Sequence, residues 1–231
     1  MKIIQLLPWA DWFALGFFIL VWTVYALFAK HWSDGQTSIL ALTNRYRHLW
    51  MLQTTARDPR MLDGIITQSL SATPSFFCST TILILGGLFA LLGTTDKAAE
   101  LVREIPFAEQ TPILVFEFKI LVLVAIFVYA FFRFSWSMRQ YTFVSLLIGS
   151  MPPAKDFAQG LADPVVFAHR AASMTGLAAE TFNGGLRAYY FSFAAMGWFF
   201  SPLIFVLSTM LVAAVLYTRE FRSDVLHLLQ E

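Results

Sequence analysis

Two stretches of the chain gather side chains of the kind that grip an anion: Arg57, Asp58, Arg60 and Asp63 in the first, Glu180, Asn183 and Arg187 in the second. A guanidinium offers a planar fork of donors to phosphate or carboxylate, and an amide offers both a donor and an acceptor. A lipid head group or an anionic solute is the ligand class such a set would take. The same residues also read as a lock. Arg187 paired with Glu180 or Asp63 would tie two helices together, and pairing is the usual way to keep such charges in a poorly solvated setting. Asn183-Gly184-Gly185 would then end a helix, and this locking role is the expectation.

A second group is Asp11, Glu117 and Lys119, the charges that fall at or inside apolar stretches. Ionisable groups there are costly and mark either a pathway or a partner. Asp11 with Lys119, or Glu117 with Lys119, could form a structural pair or an ion site, and snorkelling toward a nearby boundary is the simplest account of Glu117.

Other chemistry finds no footing. Cys78 is the single cysteine, set between Phe77 and Ser79 without a charged neighbour to lower its pKa, so packing is its expected role. His31, His48, His169 and His227 all fall outside the apolar stretches, where a haem would need them near mid-span. No GxxxxGK[ST] loop, GxSxG elbow, HExxH or CxxC occurs. No catalytic residue, cofactor or metal site is therefore expected.

The elements that must hold these groups are membrane spans. Hydrophobic residues make up 58% of the chain and charged ones 13%, with a mean hydropathy of +0.64. That balance lies outside the range of soluble domains. A net charge of +1 gives nucleic-acid binding no electrostatic basis. About 20 helical residues cross a bilayer core, which predicts one domain over 1–231 with four spans near 12–29, 76–93, 112–132 and 198–216. The last lies in an uncharged run from Ala188 to Thr218, whose excess length would be absorbed by tilt, protrusion or a kink at Pro202.

Lysine and arginine mark cytoplasmic loops. Lys30, Arg45, Arg47, Arg57 and Arg60 fall between the first two spans, and Arg133, Arg139, Lys155, Arg170 and Arg187 between the last two. The middle loop is acidic, with Asp96, Glu100, Glu104 and Glu109. Four spans then leave both termini outside. Residues 39–53 have the spacing of an interfacial amphipathic helix. Asp58-Pro59 and Asp163-Pro164 each predict a capped helix start. Each half thus runs span, helical loop, capped helix, returning span, the pattern of a parallel repeat. Ser79, Gly86, Ala90 and Gly93 share a helix face suited to close packing, by default within the monomer.

Four strings carry a resemblance: Arg57, Arg60 and Asp63; Ser75 to Thr81 (SFFCSTT); Phe182 to Phe191 (FNGGLRAYYF); and Arg219 to Ser223 (REFRS). In these the chain resembles the domain of unknown function five-nine-nine family of small bacterial and plant integral membrane proteins. The resemblance extends over nearly the whole chain, and implies an all-α architecture of about four transmembrane helices, in a bacterial inner (cell) membrane, without an assigned activity. Three functional classes are compatible with the residues. The leading expectation is an accessory or scaffold protein without catalysis, followed by a small oligomeric transporter or channel for an anionic solute or lipid head group. A lipid-modifying enzyme comes third. Expected partners are membrane lipids and a second copy or another membrane protein.

Overall fold

The computed structural model describes residues 7–33, 38–95 and 112–230, in which every regular element is helical. Five helices are long: α1 (Trp9–Ser33), α3 (Met61–Gly93), α4 (Ile113–Gly149), α6 (Pro164–Met196) and α7 (Pro202–Phe221). Three are short: α2 (Ile39–Thr55), α5 (Ala154–Ala158) and α8 (Asp224–Gln230). The order long, short, long occurs in α1–α3 and again in α4–α6, with connecting helices of 17 and 5 residues. Four of the long helices, α1, α3, α4 and α7, are apolar enough to cross a membrane. They contain most of the sequence expected to span. The acidic loop expected between the second and third spans, residues 96–111, lies outside the described residues.

Local chemistry sets the boundaries. Ser38 Oγ accepts from Ala41 N (3.2 Å) at the start of α2, and Asp163 Oδ1 accepts from Val165 N (2.8 Å) with Pro164 in the first turn of α6. The expected cap at Asp58 does not form. Helix α3 begins after Arg60, and the Asp58 carboxylate instead accepts from Ala154 N, 2.5 Å away on α5.

The fourth expected span also needs correction. The uncharged run from Ala188 to Thr218 belongs to two helices, not one tilted or kinked helix. Helix α6 ends at Met196, a short 3₁₀ turn (Gly197–Phe199) reverses the chain, and α7 starts at Pro202 beneath the Ser201 cap (Ser201 Oγ to Ile204 N, 3.1 Å). Trp198 is therefore in the turn. Proline cannot donate to the preceding turn, so it starts a new helix here more readily than it bends an old one.

Contacting pairs reveal the helix directions. Lys119 meets Trp198, Phe127 meets Tyr189, and Ser137 meets Ala178, so α4 and α6 are antiparallel. Arg60 reaches Met151 while Phe77 packs on Phe134, so α3 and α4 are antiparallel too. Phe18 against Phe205 and Phe28 against Tyr217 make α1 and α7 parallel. Helices α1, α4 and α7 thus run one way, α3 and α6 the other. Helix α8 packs on α2, so the two ends of the described chain lie at opposite ends of the bundle.

Helix α6 is the centre of the bundle. Most of its buried positions are small (among them Ala168, Ala171, Ala172, Ala178, Ala188 and Ala194), which lets α4 approach closely. At Gly185 an added Cβ would sit 2.5 Å from a ring carbon of the fully buried Phe134, so only glycine fits against that ring. Asn183-Gly184-Gly185 therefore does not end a helix, as expected, but serves helix packing inside one. The small face of α3 behaves in the opposite way. Ser79, Gly86, Ala90 and Gly93 are exposed and no neighbour lies within 4 Å of a Cβ built at Gly86 or Gly93. Phe77, Thr81 and Leu88, on the other side of α3, meet the rest of the bundle instead.

Candidate functional site

The predicted anion-binding residues separate into two places. At the α2 end, Asp63 is fully buried and its Oδ1 accepts from Trp50 Nε1 (2.7 Å), Thr54 Oγ1 (2.9 Å) and Arg57 Nη1 (2.9 Å). Its other oxygen is buried with no hydrogen-bond partner among the described residues. Arg60 turns to carbonyls, donating to Thr54 O (3.1 Å), Met151 O (3.0 Å) and Pro152 O (2.6 Å). These three residues fasten α2 and the α4–α5 turn to the start of α3, and Arg187 is not among them.

Arg187 instead pairs with Glu220 on α7, Nη2 to Oε1 at 2.5 Å. Tyr25 of α1 donates to the second Glu220 oxygen at 2.7 Å, and the Arg187 guanidinium lies 5.8 Å from the Tyr25 ring centre. The expected partners, Glu180 and Asp63, are both elsewhere. Glu180 lines a separate cavity of about 340 Å³ with Asn44, His48 and His169, whose imidazole rings are 5.8 Å apart. Among the described residues no group of three metal-ligating side chains is assembled.

At the opposite end of the bundle, Asp11 and Lys119 come together across α1 and α4. Both are buried (1% exposed) with Nζ 3.9 Å from Oδ1. Trp198 bridges them, donating Nε1 to Asp11 Oδ1 (2.5 Å) while its carbonyl accepts from Lys119 Nζ (2.8 Å). Glu117 is half-buried and stands apart from this trio.

Between the two ends lies a cavity of about 500 Å³ bounded by α2, α3, α6 and α7. Asn183 and Arg187 of the predicted set line it, and so do three residues the sequence reading did not place there: Arg47, Arg219 and Glu220. Arg47 donates to Thr43 Oγ1 (3.0 Å) and Asn44 Oδ1 (2.6 Å), with no carboxylate in reach among the described residues. Burial pushes its pKa below the usual arginine value, an effect that nearby Tyr141 opposes. Arg219 donates to the Tyr190 hydroxyl and lies over its ring, 5.5 Å from the centre. Three guanidinium groups thus share the cavity with the Glu220 carboxylate, and its remaining wall is largely apolar.

Two of the four strings that carried the resemblance meet at this cavity. FNGGLRAYYF supplies Phe182, Asn183, Leu186, Arg187 and Tyr190, while REFRS supplies Arg219 and Glu220. Residues 13–225 match the family described as "Protein of unknown function, DUF599". The chain belongs to that family. No curated protein and no solved structure matches the chain. For this DUF599 protein the signal for the missed residues was present but divided. Arg219 and Glu220 were visible only as a string near the end of the chain, and Arg47 only as one charge on an amphipathic helix.

Proposed function

We propose that this DUF599 protein is a five-crossing membrane protein that binds an anionic ligand in the cavity between α2, α3, α6 and α7 and acts as an accessory component without chemistry of its own. The observation that carries the reading is the charge of the cavity, three guanidinium groups against one carboxylate in a largely apolar wall. Excess positive charge in a low-dielectric site calls for an anionic partner. Conduction is the second reading, and the packing gives it less support. The cavity wall at Phe182 is backed by Phe77, Phe134 and Tyr189, ring against ring.

Five crossings, with α6 as the fifth, follow from the alternating helix directions. They also improve the charge distribution. Arg219 and Arg222 then join Arg45, Arg47, Arg57, Arg60, Lys155 and Arg170 on the cytoplasmic side, where basic residues concentrate. In a Cys78→Ala background, cysteines at Arg45 and Ser223 should react with an impermeant maleimide from the same side of intact vesicles. One at Trp9 should react from the other side. Labelling of positions 223 and 9 from a common face would return the topology to four crossings.

Binding is measurable in a non-ionic detergent by titrating the purified protein with an alkyl phosphate and following tryptophan fluorescence. Arg47→Gln should weaken binding at least tenfold, since a charge-assisted hydrogen bond is worth about 1.5–3 kcal/mol. An alkyl glycoside of equal chain length should not compete. Equal affinity for the phosphate and the glycoside would end the anion reading.

A further inference from the structure

The α3 wall of the same cavity has requirements that the arginines do not meet. Pro74 lacks an N–H, so the Leu70 carbonyl one turn earlier is without the donor that a helix normally provides. Both residues line the cavity. Along the same helix Thr67, Ser71, Thr80 and Thr81 return their hydroxyl hydrogens to backbone carbonyls. Ser69 and Thr73, which face the cavity, have no hydrogen-bond partner among the described residues, and the same holds for Asn183 and the Tyr141 hydroxyl.

A bare phosphate cannot satisfy this set. Its oxygens accept from guanidinium groups, hydroxyls and the amide N–H, but a free carbonyl and the Asn183 oxygen need a donor. The ligand must therefore carry donors as well as negative charge. An ammonium head group would supply donors but cancel its own phosphate charge, which leaves the excess of guanidinium over carboxylate uncompensated. Hydroxyl groups meet both demands.

Depth points to the source. Ser69, Thr73 and Pro74 lie immediately before the most apolar part of α3, residues 76–93, which at 1.5 Å per residue covers about 27 Å, close to a bilayer core. The cavity then sits at head-group level. Ser69 and Thr73 are exposed, so it opens sideways beside α3, next to the bare apolar side chains of Phe76 (66% exposed) and Leu83 (76% exposed).

We infer that the cavity takes an anionic phospholipid whose head group carries free hydroxyls, the phosphate held by the arginines and the hydroxyls by the α3 wall. The inference rests on the anion-binding reading above and goes further in assigning the head-group chemistry and the membrane as its source. The acyl chains leave along the exposed face of α3.

Native mass spectrometry of the purified full-length protein, titrated with phosphatidylglycerol, phosphatidic acid or soluble glycerol 3-phosphate, tests it. Phosphatidylglycerol should bind about tenfold more tightly than phosphatidic acid, and glycerol 3-phosphate should be weaker than either. Thr73→Val should reduce the lipid preference to about twofold while leaving phosphatidic acid affinity within about twofold, and Thr73→Ser should restore it. That ratio compares two ligands on one folded variant, so a loss of stability alone does not produce it. Equal binding of the two lipids overturns the hydroxyl inference and leaves the anion reading standing. Glycerol 3-phosphate binding as tightly as the lipid overturns the membrane source. Binding of none of the three overturns both this inference and the reading beneath it.

Discussion

Lys119→Met should destabilise the protein by about 3 kcal/mol, because it leaves the Asp11 carboxylate buried without its cation. Both side chains are 1% exposed and both hold Trp198, which joins the ends of α1, α4 and the turn before α7. Methionine keeps the length of the lysine and removes its charge, so packing changes little. Thermal unfolding in detergent, read from tryptophan fluorescence, should show a clearly lower transition for Lys119→Met. Adding Asp11→Asn should recover a large part of the loss, since a neutral amide still accepts from Trp198 Nε1 and no lone charge remains. Independent, additive losses in the double-mutant cycle would show that the two charges do not act as a pair.

Arg187 and Glu220 give the second large effect, with a difference in sign between stability and binding. Their side chains are 11% and 15% exposed, so either single change removes a largely desolvated partner and should cost about 3 kcal/mol. Arg187→Met should couple with Glu220→Gln in a double-mutant cycle and be additive with Glu180→Gln and with Asp63→Asn. Binding divides the two variants. Arg187→Met removes a cation from the cavity and should weaken an anionic ligand, whereas Glu220→Gln removes its carboxylate and should tighten that ligand while lowering stability. A Glu220→Gln protein that is less stable and also binds the anion less tightly would remove the cavity's charge balance as the basis of affinity. Coupling of Arg187 to Glu180 or Asp63 instead would reject the pairing itself.

The residues differ in how far their surroundings could be read from sequence. Helices α1, α3, α4 and α7 announce themselves because their environment is apolar on most sides, and unbroken hydropathy is the record of that. Asp11 and Lys119 were legible as a possible pair because each sits near the same end of an apolar stretch. Helix α6 was hidden for the opposite reason. Packed against α2, α4 and α7, it carries Glu180, Asn183 and Arg187 among buried alanines and glycines, with His169 and Arg170 exposed near its start, and so lacks the composition of a span. With α6 unseen, Ala188 to Thr218 read as one segment, and the fourth span was begun at Trp198, inside the turn that separates two helices. The partner of Arg187 was lost with it. Glu220 is 33 residues further along the chain, on a helix whose direction depends on that turn. The cavity was hidden for the same reason, since Arg47, Arg187 and Arg219 lie on three helices and only the packing around α6 brings them together.

The polarity of α6 also bears on how the protein is made. A helix with this many ionisable and small residues gains too little from lipid to partition from the translocation channel unaided. Its partners arrive at different times: α4 is synthesised before it, while α7, which brings Glu220 to neutralise Arg187, follows only after the Trp198 turn. In the five-crossing arrangement proposed above, helix α6 would have to wait at the channel, or be held against α4, until α7 emerges and the two can enter the bilayer as a hairpin. Ribosomes stalled before Glu220 has left the exit tunnel should carry chains in which a photo-crosslinker placed on α6 still reaches the translocation channel, and chains extended beyond α7 should lose that crosslink.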